Sequence, residues 1–308
     1  MFSRSGAYAL PLLAVLVWGG MFPVTAGALA HVDGVHLTAV RYVVAATVLV
    51  VLLVATQGRA ALRPDGRLGE LLLLGTVGVA GFNLLVNLAL GYTAPQNAAL
   101  MVALTPVLTL LVRWVRDGVR PTAAMVGLMV AALFGVALVI THGRLADFSS
   151  IGAGDAMTLL GVLGWAIYTH GAGRFQAWTA LRYTTLTQLV GAGVTVLVAV
   201  LADLAGLTRP PVPAAFGAVA WQLGYVALGS SVLAVLVWSM AIRRLGVPNV
   251  ALFMNLVPVV AFTIQIARGY QPVPAELVGA ALTVGALVLT NRLTRRAATV
   301  PAGGPVAA

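Results

Sequence analysis

The chain has no cysteine, no lysine and only eight acidic residues in 308. Without cysteine it can form neither a disulfide nor a thiolate metal site. Charged residues make up 8% of the sequence, against about 25% in a soluble domain. So few charges cannot clothe a surface that faces water. What is abundant is apolar: 60% of the residues are hydrophobic and the mean hydropathy is +1.00. The bilayer is therefore the expected solvent. Hydrocarbon offers backbone groups no partner, which leaves helices or closed barrels. The apolar runs last about 20 residues and do not alternate with polar ones, which selects helices.

The acids are Asp33, Asp65, Glu70, Asp117, Asp147, Asp155, Asp203 and Glu276, and all read as loop or helix-end residues. There is no paired carboxylate, no metal-ligand spacing and no glycine-rich phosphate loop, so neither an enzyme nor a cofactor is expected. All eighteen basic residues are Arg, for a net charge of +10. They stand singly or in small groups between apolar runs rather than along one face, which argues against nucleic acid as a partner. Only Arg4 precedes the first apolar run. No small-residue cleavage site follows at a signal-peptide distance, so the run reads as a retained span.

Charged and turn-forming breaks divide the chain into ten expected spans, at about 7–29, 35–56, 69–90, 95–114, 121–141, 154–172, 180–202, 215–240, 248–268 and 273–293. Assigned alternately to the two faces, the segments carry fourteen Arg on one side. The other side carries four: Arg41, Arg144, Arg209 and Arg268. The positive-inside rule then puts both termini in the cytoplasm.

The chain also repeats itself. Asn97, Leu100 and Pro106 return as Asn249, Leu252 and Pro258, each 152 residues on. Trp18 and its leucine-rich approach return at Trp165, and Thr38-Ala-Val-Arg41-Tyr42 returns as Thr179-Ala-Leu-Arg182-Tyr183. The expected organisation is a first five-helix unit over 1–142, an extracytoplasmic connection over 143–153, a second unit over 154–296 and a short cytoplasmic tail over 297–308. Five is odd, so the second unit enters the membrane inverted, as in transporters that alternate access around a midplane site.

These residues carry a resemblance. A Trp in the first span, an Arg-Tyr pair opening the second, and an Asn and a Pro framing the fourth, all repeated, resemble the EamA type of the drug/metabolite transporter superfamily. Within it the chain is similar to the YddG-type exporters of aromatic and other neutral amino acids. The resemblance covers roughly residues 7–296. It implies an all-α integral membrane protein of ten transmembrane helices in two inverted five-helix repeats. It also implies a central cavity built mainly by spans 1–4 and 6–9.

Candidate substrate-binding residues follow from polarity and position. Trp18 and Trp165 lie mid-span, away from the interface Trp prefers, and Phe22 and Tyr168 stand about one turn further on. Asn83, Asn97 and Asn255 place amides at membrane depth, where each needs a helix, water or substrate as partner. Asn255 also breaks the repeat, standing where the first unit has Ala103. Met101 and Ser230 complete the set. Pro106, Pro258, Gly78 and Gly229 interrupt their spans and are the expected gating or hinge positions. His170 reads as a solvated residue near the cytoplasmic end of span 6. Arg41 and Arg182 could attract a carboxylate, though snorkelling to headgroups is the plainer reading.

The expected function is export of amino acids, aromatic and other neutral ones first, by a facilitative or weakly coupled monomer in a bacterial inner membrane. The alternatives are an exporter of lipophilic drugs or other small metabolites, a nucleotide-sugar-type carrier, and a membrane receptor or scaffold.

Overall fold

A computed structural model describes residues 4–144, 152–245, 250 and 252–299. Every regular element among the described residues is helical. The main ones are α1 (Arg4–Ala28), α2 (Gly34–Gln57), α3 (Leu68–Ala89), α4 (Pro95–Asp117) and α5 (Ala123–Ile140). They continue with α6 (Ala153–Ala172), α7 (Ala180–Leu204), α8 (Ala220–Ala241), α9 (Phe253–Ala267) and α10 (Pro274–Thr299). Eight of these helices contain a stretch long and apolar enough to cross a membrane. The other two, α6 and α9, fall at the remaining positions expected from sequence. Helix α6 runs for 20 residues but carries Asp155, Thr158, Thr169 and His170. Asn249 and Asp147, singled out in the sequence, lie outside the described residues.

The packing has a two-fold pattern. Helix α1 lies against α8 and α9, while α6 lies against α3 and α4. Helix α2 packs on α7, and α5 packs on α10. Exchanging each helix of the first five with its counterpart in the second leaves these pairings unchanged. The first helix of each unit is thus buried in the other unit, and a space at the centre is walled by both. The α5–α10 pair is close because both faces carry glycine. A Cβ on Gly135 would stand 2.5 Å from the Gly279 carbonyl oxygen, and one on Gly279 equally close to that of Gly135.

Two kinds of helix break recur in both units. Helix α3 is π-helical over Gly75–Gly81, and α8 over Tyr225–Leu233. Glycine and β-branched residues weaken the ordinary α register at both places, and a π turn leaves carbonyls off their usual i→i−4 partners. The second break lies before the prolines. Helix α4 pauses at Ala103–Leu104 and resumes at Thr105. In α9 a 3-10 turn over Leu252–Asn255 gives way to α-helix from Leu256. Pro106 and Pro258 therefore stand in the first turn of a helical segment, where a missing N–H costs little.

Ion pairs and histidine–carboxylate contacts tie the two units together at the helix ends. His36 of α2 sits between Asp33 at 2.7 Å and Asp203 of α7 at 3.1 Å. Elsewhere Arg174 reaches Glu70 at 3.3 Å, Arg182 reaches Asp65 at 2.6 Å and His170 of α6 reaches Asp117 of α4 at 3.3 Å. His170 is thus a half-buried partner of Asp117 rather than a freely solvated side chain.

Candidate substrate cavity

A cavity of about 70 Å³ lies where the two units meet. Its wall includes Trp18, Phe22, Phe82, Trp165, Met254 and Val257, with Arg41, Asn83, Thr184, Gln188, Ser230 and Ser231 as the polar part. Helices α1, α2, α3, α4, α6, α7, α8 and α9 all contribute. The two Trp residues expected from the repeat both reach it. Trp18 donates its indole N–H to the Ser230 carbonyl at 3.1 Å, so the π segment of α8 satisfies a mid-span Trp. Trp165 stacks between Phe82 and Tyr168, at 5.3 and 5.0 Å between ring centroids.

The rings continue away from the cavity. Tyr168 faces Tyr183 at 5.2 Å, Tyr183 faces Phe175 at 5.0 Å, and Phe175 faces Trp178 at 5.0 Å. The guanidinium of Arg67 sits 3.7 Å over Phe175 and that of Arg182 4.1 Å over Trp178. A continuous aromatic stack therefore separates the cavity from the end of the molecule where Arg67, Glu70, Arg174 and Arg182 cluster.

Of the residues singled out from sequence, Trp18, Phe22, Asn83, Trp165, Tyr168 and Ser230 line the cavity. Asn83 donates to the Val79 carbonyl of its own helix at 2.9 Å. Met101, Asn97 and Asn255 do not line it. Met101 packs with Leu104, Val136 and Phe262 in the core between α4, α5, α9 and α10. Asn97 and Asn255 are buried, with Oδ1 of the first and both amide atoms of the second lacking a hydrogen-bond partner. Gly78 lies in the π segment of α3, where an added Cβ would overlap the Cβ of Tyr168, so it is a contact position as well as a break. Gly229 lies in the π segment of α8 with only ordinary contacts around it.

The structure corrects the plainer reading of Arg41. It does not reach for headgroups; it is 3% exposed and turns into the cavity. Its Nε donates to Ser231 Oγ at 2.8 Å, and its Nη2 donates to Ser230 Oγ at 3.0 Å and to Met21 Sδ at 3.2 Å. Its Nη1 has no hydrogen-bond partner, and among the described residues no carboxylate stands in the cavity wall. Gln188 is the second residue missed. Its Nε2 donates to the Ser231 carbonyl at 3.0 Å, which leaves Oε1 as an unpartnered acceptor. The signal was the polar run Thr184-Thr185-Leu-Thr187-Gln188 in mid-span, an expensive feature in lipid.

Two interlocked helical units with a buried, aromatic-walled polar site between them are an architecture suited to a polytopic membrane transporter. The chain belongs to the EamA-like transporter family, whose pattern it matches twice, over residues 5–141 and 152–292. It is 30% identical over 292 residues to the uncharacterized transporter YrdR of Bacillus subtilis, covering 92% of this chain and 91% of that one. It is 29% identical over 300 residues to a probable terminal-alkyne amino-acid exporter of Streptantibioticus cattleyicolor, covering 94% and 96% of the two chains. A crystal structure shares the fold with a TM-score of 0.67 at 22% identity, covering 96% of this chain and 99% of that one.

Proposed function

We propose that this EamA-family transporter exports amino acids with apolar side chains, aromatic ones among them, through the central cavity. The observation that carries this reading is the cavity wall itself: aromatic and thioether side chains around one buried guanidinium that has no acid to pair with. Aromatic faces suit an apolar side chain, and an uncompensated guanidinium suits a carboxylate. A lipophilic cation would meet repulsion at the same place. The amino-acid exporter among its relatives supports the assignment.

In this reading ten spans cross a bacterial inner membrane as two inverted five-helix units, with both termini cytoplasmic, and a single chain forms the pathway. The cavity of about 70 Å³ has room for a few waters. Access would alternate as the units rock about the paired π segments and the breaks before Pro106 and Pro258. With no acid in the cavity wall, transport is facilitative or weakly coupled. Amino-acid flux into proteoliposomes without a proton or ion gradient tests this. Gradient-free flux of phenylalanine is the expected result; flux that starts only with a proton gradient refutes facilitation, and no flux with or without one refutes the amino-acid assignment.

A further inference from the structure

Two buried polar atoms on side chains that line the cavity lack hydrogen-bond partners, and they are of opposite kind. Arg41 Nη1 is a charged donor, and Gln188 Oε1 is a neutral acceptor. Both side chains are more than nine-tenths buried. Native proteins satisfy buried polar atoms with few exceptions, so two such orphans in one cavity point to something that fills it.

Both side chains are held by the same residue. Ser231 accepts from Arg41 Nε through its hydroxyl and from Gln188 Nε2 through its carbonyl. The Gln188 bond also fixes which way the amide faces, since only its nitrogen can donate to a carbonyl. The Ser231 carbonyl belongs to the π segment of α8. The break in that helix thus positions both groups: Arg41 from α2 and Gln188 from α7.

From this we infer that Arg41 Nη1 and Gln188 Oε1 form the head-group site for a carboxylate bearing an N–H donor on its α-carbon. The carboxylate accepts from Arg41, and the amino or amide N–H donates to Gln188. The side chain then lies against Trp18, Phe22, Phe82 and Trp165. The inference rests on the transport reading above and deepens it, because it makes both substituents of the α-carbon necessary. A site with buried groups waiting for a substrate's polar atoms rejects analogues that lack them, since the groups then stay unpaired.

The test is a binding series on the purified full-length protein in lipid nanodiscs, read by tryptophan fluorescence. The ligands are phenylalanine, N-acetylphenylalanine, 3-phenylpropionate, which lacks the nitrogen, and phenethylamine, which lacks the carboxylate. Relative to phenylalanine, affinity should fall about tenfold for phenylpropionate and about 100-fold for phenethylamine, following the weight of neutral and charged hydrogen bonds. N-acetylphenylalanine binding at least as well as phenylalanine identifies a neutral N–H as sufficient; weaker binding identifies the ammonium as the donor read. Gln188→Leu should weaken phenylalanine about tenfold and leave phenylpropionate unchanged. Arg41→Gln should bring phenylalanine down to the phenethylamine level.

Phenethylamine binding as tightly as phenylalanine overturns the inference, and this arm needs no variant to fold. So does a Gln188→Leu protein that loses phenylpropionate and phenylalanine equally. If phenylalanine crosses proteoliposomes while these ratios fail, only the head-group assignment falls. If no amino acid binds or crosses, the transport reading falls with it.

Discussion

The same five-residue phrase, Thr-Ala-x-Arg-Tyr, lies a turn inside α2 and at the very start of α7, and its two arginines have opposite fates. Arg182 stays at the helix end. It donates to the Ala61 and Arg63 carbonyls at 2.9 and 2.7 Å, pairs with Asp65 at 2.6 Å and stacks on Trp178. Arg41 is buried in the cavity wall with two serine hydroxyls, a methionine sulfur and no acid. The motif fixes neither outcome; its neighbours do. Arg182 has the loop before α3 within reach, with Asp65 in it. Arg41 has Ser230 and Ser231, presented by the π segment of α8. Duplication supplied two cations, and local context made one a structural tie and left Nη1 of the other without a hydrogen-bond partner.

Substituting the two arginines alike breaks or sharpens this contrast. Arg41→Gln should cut amino-acid flux about 10- to 100-fold, the weight of a charged hydrogen bond of about 1.5–3 kcal/mol. It should leave the melting midpoint unchanged or raised, because it deletes a buried cation that no acid compensates. Arg182→Gln should show the reverse: flux within a few-fold of wild type, and stability lower by about 1–2 kcal/mol, or a few degrees in midpoint. Proteoliposome flux and thermal unfolding in detergent, measured on both proteins, decide it. A loss of flux in both would mean that the arginines act as a pair.

The π segments offer a second contrast between the units. An added Cβ at Gly78 overlaps Tyr168, whose own Cβ is fixed by its helix. Gly78→Ala should therefore destabilise by about 1–3 kcal/mol, the usual cost of overpacking. At Gly229 the nearest atom is Val17 Cγ1, 3.6 Å away. Gly229→Ala should change the folding stability by no more than about 0.5–1 kcal/mol, in the stabilising direction. If its flux nonetheless falls, the π segment of α8 needs glycine for motion and not for space.

Much of this was legible in the sequence because it rests on composition and spacing. Length and hydropathy located the helices, and the Trp, Arg and Pro matches revealed the duplication. Gly78 and Gly229 marked interruptions in two spans, and π segments lie at both places, since weak helix formers in an apolar run leave a mark. Which way a side chain turns leaves none. Arg41 looked like any interfacial arginine, because its serine partners lie 189 and 190 residues away. Met101 looked like a wall residue because α4 reaches the cavity, yet it faces α5 and α10 instead. Gln188 was legible in principle, as an amide in mid-span, but its meaning depended on the carbonyl of Ser231.

Glu276 is the counterpart to Arg41: a fully buried ionisable side chain whose needs are met inside the protein. It accepts from Tyr270 Oη, from the Val273 N–H at 2.8 Å and from His142 Nδ1 at 2.9 Å, which ties α5 to the start of α10. Tyr270 lies between α9 and α10, and its phenol is pushed up from 10.0 to about 12. Burial is the main cause and the neighbouring Glu276 the second, with Gln96 opposing them. A raised phenol means that the folded protein favours the neutral form. Its contribution to stability is whole below pH 10 and is lost as pH rises through 12. The melting midpoint of the wild type should therefore fall more steeply between pH 10 and 12 than that of Tyr270→Phe, which starts lower at neutral pH. Arg41→Gln should keep the wild-type slope, because its site takes no part in this network. Parallel curves for wild type and Tyr270→Phe would show that the phenol does not hold Glu276, which then rests on the Val273 N–H and His142 alone.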